Sequence, residues 1–215
     1  MELLRHLLED QPTTPRLTVY NESNGARLDF SAITLDNWAA KVANMLVEEF
    51  DLVPGDTIRI DLPAGWQTVA LVLGALAAGV EPLFEGEGDV LFTSPDRLDD
   101  LDGWIALVTD DPFGRGVVET GGEVPPGLID FGPTVRLYGD VFDTPTPALP
   151  DLVTTALPPR ARTLSTGWHD GASFAAQVLE PLAAGGSAVI VTGLADAARL
   201  ADIAKAERVT LSLHS

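Results

Sequence analysis

Helical and strand periodicities alternate along most of this chain, and the alternation restricts the fold more than any single residue does. From Thr34 to Phe50 the residues Leu35, Trp38, Val42, Met45 and Leu46 recur at steps of three and four, the spacing of one helix face. Thr34 is the expected N-cap. The turn Val53-Pro-Gly-Asp56 stops that helix and leads into a strand at 57–62. Residues 65–78 carry Val69, Val72, Leu73 and Leu76 at helical spacing, with Gly79 as the stop. Strands are expected at 81–84, 90–93 and 104–108. The pattern returns later, with a strand at 161–165 and a helix at 170–184 bearing Phe174, Val178 and Leu182. Gly185-Gly186 ends it, a buried-type strand comes next at 187–191, Asp196 caps another helix, and residues 209–213 alternate as a last strand. Strands alternating with helices predict an α/β class fold, a layered αβα domain around a mostly parallel sheet. The same pattern on both sides of the middle predicts one domain over residues 1–215 and one continuous sheet.

The two less regular regions fit around that frame. Residues 2–9 place Leu3, Leu4, Leu7 and Leu8 on one helix face, and 17–21 with 26–30 flank Glu22-Ser-Asn-Gly25 as a hairpin. Residues 110–159 are broken by nine prolines, from Pro112 to Pro159. Only 134–138 reads as a strand there, and 147–156 as helix. An irregular stretch of this length marks a lid, a binding loop or an eroded region.

Composition excludes several function classes. Hydrophobic residues are 46% and charged residues 21% of the chain, enough for a packed core. No apolar run approaches the ~18 residues of a membrane span. The start, Met1-Glu-Leu-Leu-Arg-His6, lacks the apolar core of a secretory signal, so a cytoplasmic location is expected. There is no cysteine, which removes disulfides, thiolate metal sites and cysteine nucleophiles. Thirteen basic residues against 32 acidic give a formal charge of −19, which argues against nucleic acid or an anionic membrane as partner. The densest acidic stretch, Asp96-Arg-Leu-Asp-Asp-Leu-Asp102, reads as one turn of surface helix with Leu98 and Leu101 beneath it, and it lacks the ligand order of a calcium loop.

Motif chemistry is sparse. A phosphate loop needs a glycine-rich turn ending in lysine, yet the chain has only Lys41 and Lys205, and neither comes after such a turn. Gly86-Glu-Gly88 lacks the third glycine of a dinucleotide fingerprint and sets acids where a pyrophosphate would sit. His6, His169 and His214 lack metal-ligand spacing, so no metal or cofactor is expected. No nucleophile elbow is present, and Ser173 beside His169 and Asp170 reads as a first-turn helix serine. No catalytic residue is assigned. The one segment with binding character is Leu164-Ser-Thr-Gly-Trp-His-Asp-Gly171. Trp168, His169 and Gly171 lie just beyond a strand and at the opening of a helix, where open α/β sheets place ligands. The plainer alternative is a packed Trp168, a surface His169 and an N-cap Asp170.

Leu28-Asp-Phe-Ser31, the helix after it, Val53-Pro-Gly-Asp56 with its strand, Leu62-Pro63 and Leu76-Ala-Ala-Gly79 resemble the opening of the adenylate-forming enzymes, which include the acyl-CoA synthetases. Trp168-His169 with Gly171, Pro181-Leu182, Ala184-Gly-Gly186, the strand at 187–191 and Arg208-Val-Thr210 are similar to that family's acyl-pocket histidine segment with its next helix and strands. The likeness covers 10–85 and 160–213, and extends to a group of short relatives of those synthetases. It implies part of the family's N-terminal fold and a ligand role for His169. It also implies an ATP-phosphate loop between the matched stretches, but residues 42–204 hold no lysine, and the most similar piece, Phe92-Thr-Ser-Pro95, has no glycines after it. Arg97, Arg115, Arg136, Arg160 and Arg162 lie in that interval and are candidate phosphate partners in place of lysine. The family's magnesium acid, ribose aspartate and catalytic lysine would fall beyond Ser215. Three readings result: a non-catalytic relative acting by protein association or as a scaffold; a binding module for a small carboxylic or CoA-type ligand; and half of an enzyme completed by a partner chain. A homodimer is expected, because the family fold continues past the last strand and would otherwise leave an edge uncovered.

Overall fold

A computed structural model describes residues 1–99 and 102–213. In chain order its elements begin with α1 (Arg5–Asp10), β1 (Pro15–Asn21), β2 (Ala26–Ser31), α2 (Ala32–Glu48), β3 (Thr57–Asp61) and α3 (Trp66–Ala78). Next come β4 (Glu81–Leu83), β5 (Val90–Thr93), β6 (Trp104–Leu107), β7 (Ile129–Asp130), α4 (Phe131–Val135) and α5 (Leu149–Leu152). The last are β8 (Arg162–Ser165), α6 (Gly171–Phe174), α7 (Glu180–Ala183), β9 (Ser187–Thr192), α8 (Ala197–Ala206) and β10 (Leu211–Ser212). The chain divides into two compact units, each gathered from separated stretches of sequence.

The first unit comprises Met1, Asp36–Pro63 and Gln67–Thr146. Its sheet has the order β4-β3-β5-β6-β7 and every pairing is parallel. Ile58, Ile60, Val90 and Phe92 bury one face and Ile105 and Leu107 the other, while at β3 the second face carries the half-buried Arg59 and Asp61. Two helices meet at Gly74 of α3, where a Cβ would run into the Val42 side chain of α2, so only glycine permits the approach. Phe50 and Phe131 both meet Phe92 edge to face, at 5.8 and 6.0 Å.

Apart from the two-residue strand β7, the proline-rich stretch of this unit is held by side-chain hydrogen bonds to the backbone. The Asp111 carboxylate accepts from the Phe113 and Arg115 backbone N–H and from the Arg115 guanidinium. Asp130 takes the N–H groups of Val117 and Val118 at 2.9 and 3.1 Å. Lys41 of α2 donates to the Tyr138 carbonyl and Asn44 to those of Gly139 and Val141. Tyr138 donates its phenolic hydrogen to Glu49; burial and that carboxylate push the phenol up to about 12.

The second unit comprises Glu2–Leu35, Ala64–Trp66 and Pro147–Ser215. Its sheet runs β10-β8-β9-β1-β2, parallel throughout except for the β1–β2 hairpin. Gly25 supplies the left-handed residue of that hairpin turn, at φ +73°. Leu200 and Ile203 of α8 pack on Tyr20, Leu164, Val189 and Val191. Asp196 caps α8 by accepting from the Arg199 N–H.

Several expectations are corrected. The strands at 57–62 and 104–108 do not share a sheet with those at 161–165 and 187–191; there are two five-stranded sheets. The reason is the amino-terminal hairpin, since β1 docks beside β9 with Leu17 opposite Ala188 and takes the place a further βα strand would need. Residues 134–138 form no strand. Phe131 and Val135, four apart, are both buried, and the short helix α4 serves them. At the start of α2 the Ser31 hydroxyl accepts from the Thr34 N–H, so Ser31 is the capping residue and not Thr34. The acidic turn begins as a 3₁₀ helix, Pro95–Arg97, while Asp100 and Leu101 lie outside the described residues. Among the described residues no helix is long and apolar enough to cross a membrane.

Candidate functional site

The Trp168–Gly171 segment belongs to the second unit and lies just past the carboxyl end of β8. Gly167, at φ +94°, turns the chain from the strand into the loop. Asp170 then caps α6, accepting from the Ser173 N–H at 2.7 Å, while Ser173 Oγ accepts from the His169 and Asp170 N–H at 3.1 Å. This is a reciprocal capping box. The Ser173 hydroxyl, then its N–H, hold the Asp170 carboxyl below the usual range, against a smaller effect of burial. The Ser173 hydroxyl therefore serves the helix, and no Ser–His–Asp relay forms.

Trp168 packs edge to face on the buried Phe174, with ring centroids 4.8 Å apart. His169 points outward with 73% of its side chain exposed, and its Nε2 lies 3.3 Å from Asp170 Oδ2. Gly171 is the exposed first residue of α6. The structure thus brings the three candidate residues to one turn, with Trp168 fixed by packing and His169 free to meet solvent. Among the described residues, Ser165 Oγ and Trp168 Nε1 are enclosed and lack a hydrogen-bond partner. Beyond α6 the helix widens into a π turn, Ala175–Leu179, just ahead of Pro181, which has no N–H to give a regular helix.

The other sequence candidates have structural tasks. Gly88 passes so close to β3 that a Cβ would lie 2.6 Å from the Arg59 nitrogen. The Gly86 carbonyl accepts from Arg59. His6 Nε2 bonds the Leu182 carbonyl at 2.9 Å, and His214 lies outside the described residues. In the first unit Phe92-Thr-Ser-Pro95 runs from β5 directly into the 3₁₀ turn, and Arg97 there is paired with Asp61 at 3.0 Å.

Comparison with known proteins places this geometry. No family model matches the chain. A Mycobacterium tuberculosis protein, named only for its sequence family, is 36% identical over 148 residues, which is 64% of this chain and 59% of that protein. An acyl-CoA synthetase from Brucella canis superposes with a TM-score of 0.75 at 17% identity, over 97% of this chain and 47% of its own. An anthranilate CoA ligase solved with anthranoyl-AMP gives 0.67 at 12%, covering 99% and 49%. A fatty acid AMP ligase from Legionella pneumophila gives 0.65 at 14%, covering 97% and 42%. The chain resembles the N-terminal domain of the adenylate-forming enzymes. It spans 59% of the curated relative and less than half of each of these three enzymes. At such identities the likeness to the solved structures is one of fold.

One feature of this adenylate-forming-like fold escaped the sequence motifs. A cavity of about 350 Å³ in the second unit is lined by Arg16, Arg27, Arg160, Arg162 and Arg208. It lies around the amino ends of β1, β8 and β9 and below the last turn of α8. The His169 segment, by contrast, lies past the carboxyl end of β8. The five arginines come from four separate stretches of sequence, so no local motif announces them.

Proposed function

We propose that this chain is a non-catalytic relative of the acyl-CoA synthetases that acts by associating with another protein, a second copy of itself first of all. The turn after β5 carries the reading. In the interval where the family resemblance implies an ATP-phosphate loop, the most similar piece, Phe92-Thr-Ser-Pro95, enters a 3₁₀ turn with neither glycine nor lysine, and Arg97 is engaged by Asp61. Adenylation depends on cations and backbone amides preorganised around the transferring phosphate. Asp170 likewise occupies the first-turn amides of α6 that an anionic ligand would otherwise use.

Association is supported by exposed apolar surface. In the second unit β10 is the edge of its sheet and Leu211 is 37% exposed. In the first unit Phe113 and Leu137 are 76% and 84% exposed. Proteins hide such edges and side chains by pairing, most often with two-fold symmetry. Light scattering should give about twice 22.7 kDa, and ATP–pyrophosphate exchange with a panel of carboxylic acids should stay at the blank rate. A clean monomer mass removes the association; acid-dependent exchange removes the non-catalytic reading.

A second reading has its own observation. The enclosed Ser165 Oγ and Trp168 Nε1, without partners among the described residues, favour a small carboxylic or CoA-type ligand at that turn. Saturable quenching of Trp168 fluorescence by one acid of the panel would support it.

A further inference from the structure

Five of the thirteen basic residues of a strongly acidic chain line one cavity. Only two acids, Asp10 and Glu207, share that lining. The arginines divide by what they do. Arg16 is 5% exposed and donates to the Gly185 and Gly186 carbonyls at 2.7 and 3.3 Å, closing the end of α7. Arg162 donates to the Glu207 carbonyl at 2.7 Å and to Ser187 Oγ and Thr18 Oγ1, closing the end of α8. Arg27 is occupied by Asp29, Tyr20 and Glu207. Arg16 also pairs with Asp10 and Arg162 with the Glu207 carboxylate, so these three form a fixed floor of guanidinium donors whose charge is shared with Asp10, Asp29 and Glu207.

Arg160 and Arg208 are different. Among the described residues the Arg208 side chain makes no hydrogen bond or ion pair, and Arg160 has one exposed contact, to Asp10 at 2.6 Å. Both sit in the left-handed backbone region, at φ +61° and +53°. Arg208 is the residue after the α8 cap, where its N–H bonds the Lys205 carbonyl and the Val209 N–H bonds that of Ala204. Glycine is the usual occupant of that position, because a side chain there strains the backbone. Of the three left-handed non-glycine residues among those described, two are arginines on the rim of the same cavity. Strain held at two exposed arginines, repaid within the described residues by backbone bonds and one side-chain pair, Arg160 with Asp10, points to a ligand.

We propose that this cavity binds a phosphoryl-bearing anion, with Arg160 and Arg208 as the clamp above the Arg16 and Arg162 floor. Guanidinium forks match phosphate oxygens in pairs, which a lysine point charge does not. The volume, at the lower end of small-ligand sites, has room for a pyrophosphate or a small phosphorylated metabolite. The overall negative charge does not forbid it, since fields beyond about 10 Å are screened at 0.1 M salt while the arginines touch the ligand. This site is separate from the His169 turn and stands or falls independently of the proposed function.

Calorimetry on the full chain with inorganic phosphate, pyrophosphate and AMP tests it. Saturable binding that weakens with added salt is expected, and the double variant Arg160→Gly with Arg208→Gly should lose about tenfold or more in affinity. Its melting temperature without ligand should hold or rise, because glycine relieves the left-handed backbone. Arg208→Gln alone, which removes charge but keeps a side chain, should also weaken binding. Arg199→Gln, whose arginine pairs with Glu22 outside the cavity, should leave it unchanged. Tighter AMP than phosphate supports a phosphorylated metabolite as occupant, and equal or tighter phosphate or pyrophosphate supports the free anion. No saturable binding of any of the three, or binding that the double variant retains in full, overturns the proposal.

Discussion

The two ends of the second unit's sheet use polar residues in opposite ways. Beyond the carboxyl end of β8, Asp170 and Ser173 satisfy each other and the first turn of α6, Trp168 is packed on Phe174, and His169 faces solvent. Around the amino ends of β1, β8 and β9, five arginines converge, and two of them hold strained backbone with little internal contact. A fold can keep the order of a family's motifs while the polar groups at the expected site turn to capping, and charge can collect where no motif looks for it. Location in a fold is therefore weaker grounds for function than what each polar atom is bonded to.

The largest expected effect lies at the arginine end. Glu207 accepts from Tyr20 at 2.7 Å and pairs with Arg27 and Arg162, its side chain 8% exposed. Glu207→Ala strands Arg162 with one partner fewer and should cost about 3 kcal/mol in urea denaturation. Burial raises the Glu207 carboxyl, but the hydrogen bonds from Tyr20, Arg162 and Arg27 outweigh it and hold it below the ordinary 4.5. Because the folded value is depressed, its stabilisation is complete above 4.5 and is lost as pH falls through the folded value. The gap between wild type and Glu207→Gln should thus be widest near neutrality and close in acid; a gap that widens in acid would contradict the network.

At the other end the expected costs are smaller and reflect packing and helix capping. Trp168→Ala should cost about 2 kcal/mol, for a half-buried ring in contact with Phe174. Asp170→Ala removes the capping box and should cost about 1 kcal/mol. His169→Ala should fall within about 0.5 kcal/mol of wild type in thermal denaturation. If the His169 variant instead moved stability by several kcal/mol, or only in the presence of a carboxylic acid, the contrast between the two ends would fail.

Local features were the legible part of the sequence. The helix faces of α2, α3 and α8, the stop at Gly79, the cap at Asp196 and the hairpin around Gly25 each result from residues a few positions apart. Which strands share a sheet does not. The pairing of Leu17 with Ala188 joins positions 171 residues apart, and periodicity is silent on it. The α4 helix was obscured by Pro133 and by a Thr-Val-Arg run of strand-like composition. The His169 turn was legible as a strand-to-helix junction, including the plainer reading with Asp170 as cap. The arginine cavity was illegible as a motif, although a faint signal existed: Arg16, Arg162 and Arg208 stand at or just before the starts of β1, β8 and β10.

Hydrogen exchange read by mass spectrometry compares the two ends in a single measurement. Pyrophosphate should slow exchange over residues 158–164 and 205–211, and Mg-ATP with a carboxylic acid should leave 166–174 unchanged. Slowing confined to 166–174 with Mg-ATP and acid, with no change around the arginines, would contradict the contrast between the two ends.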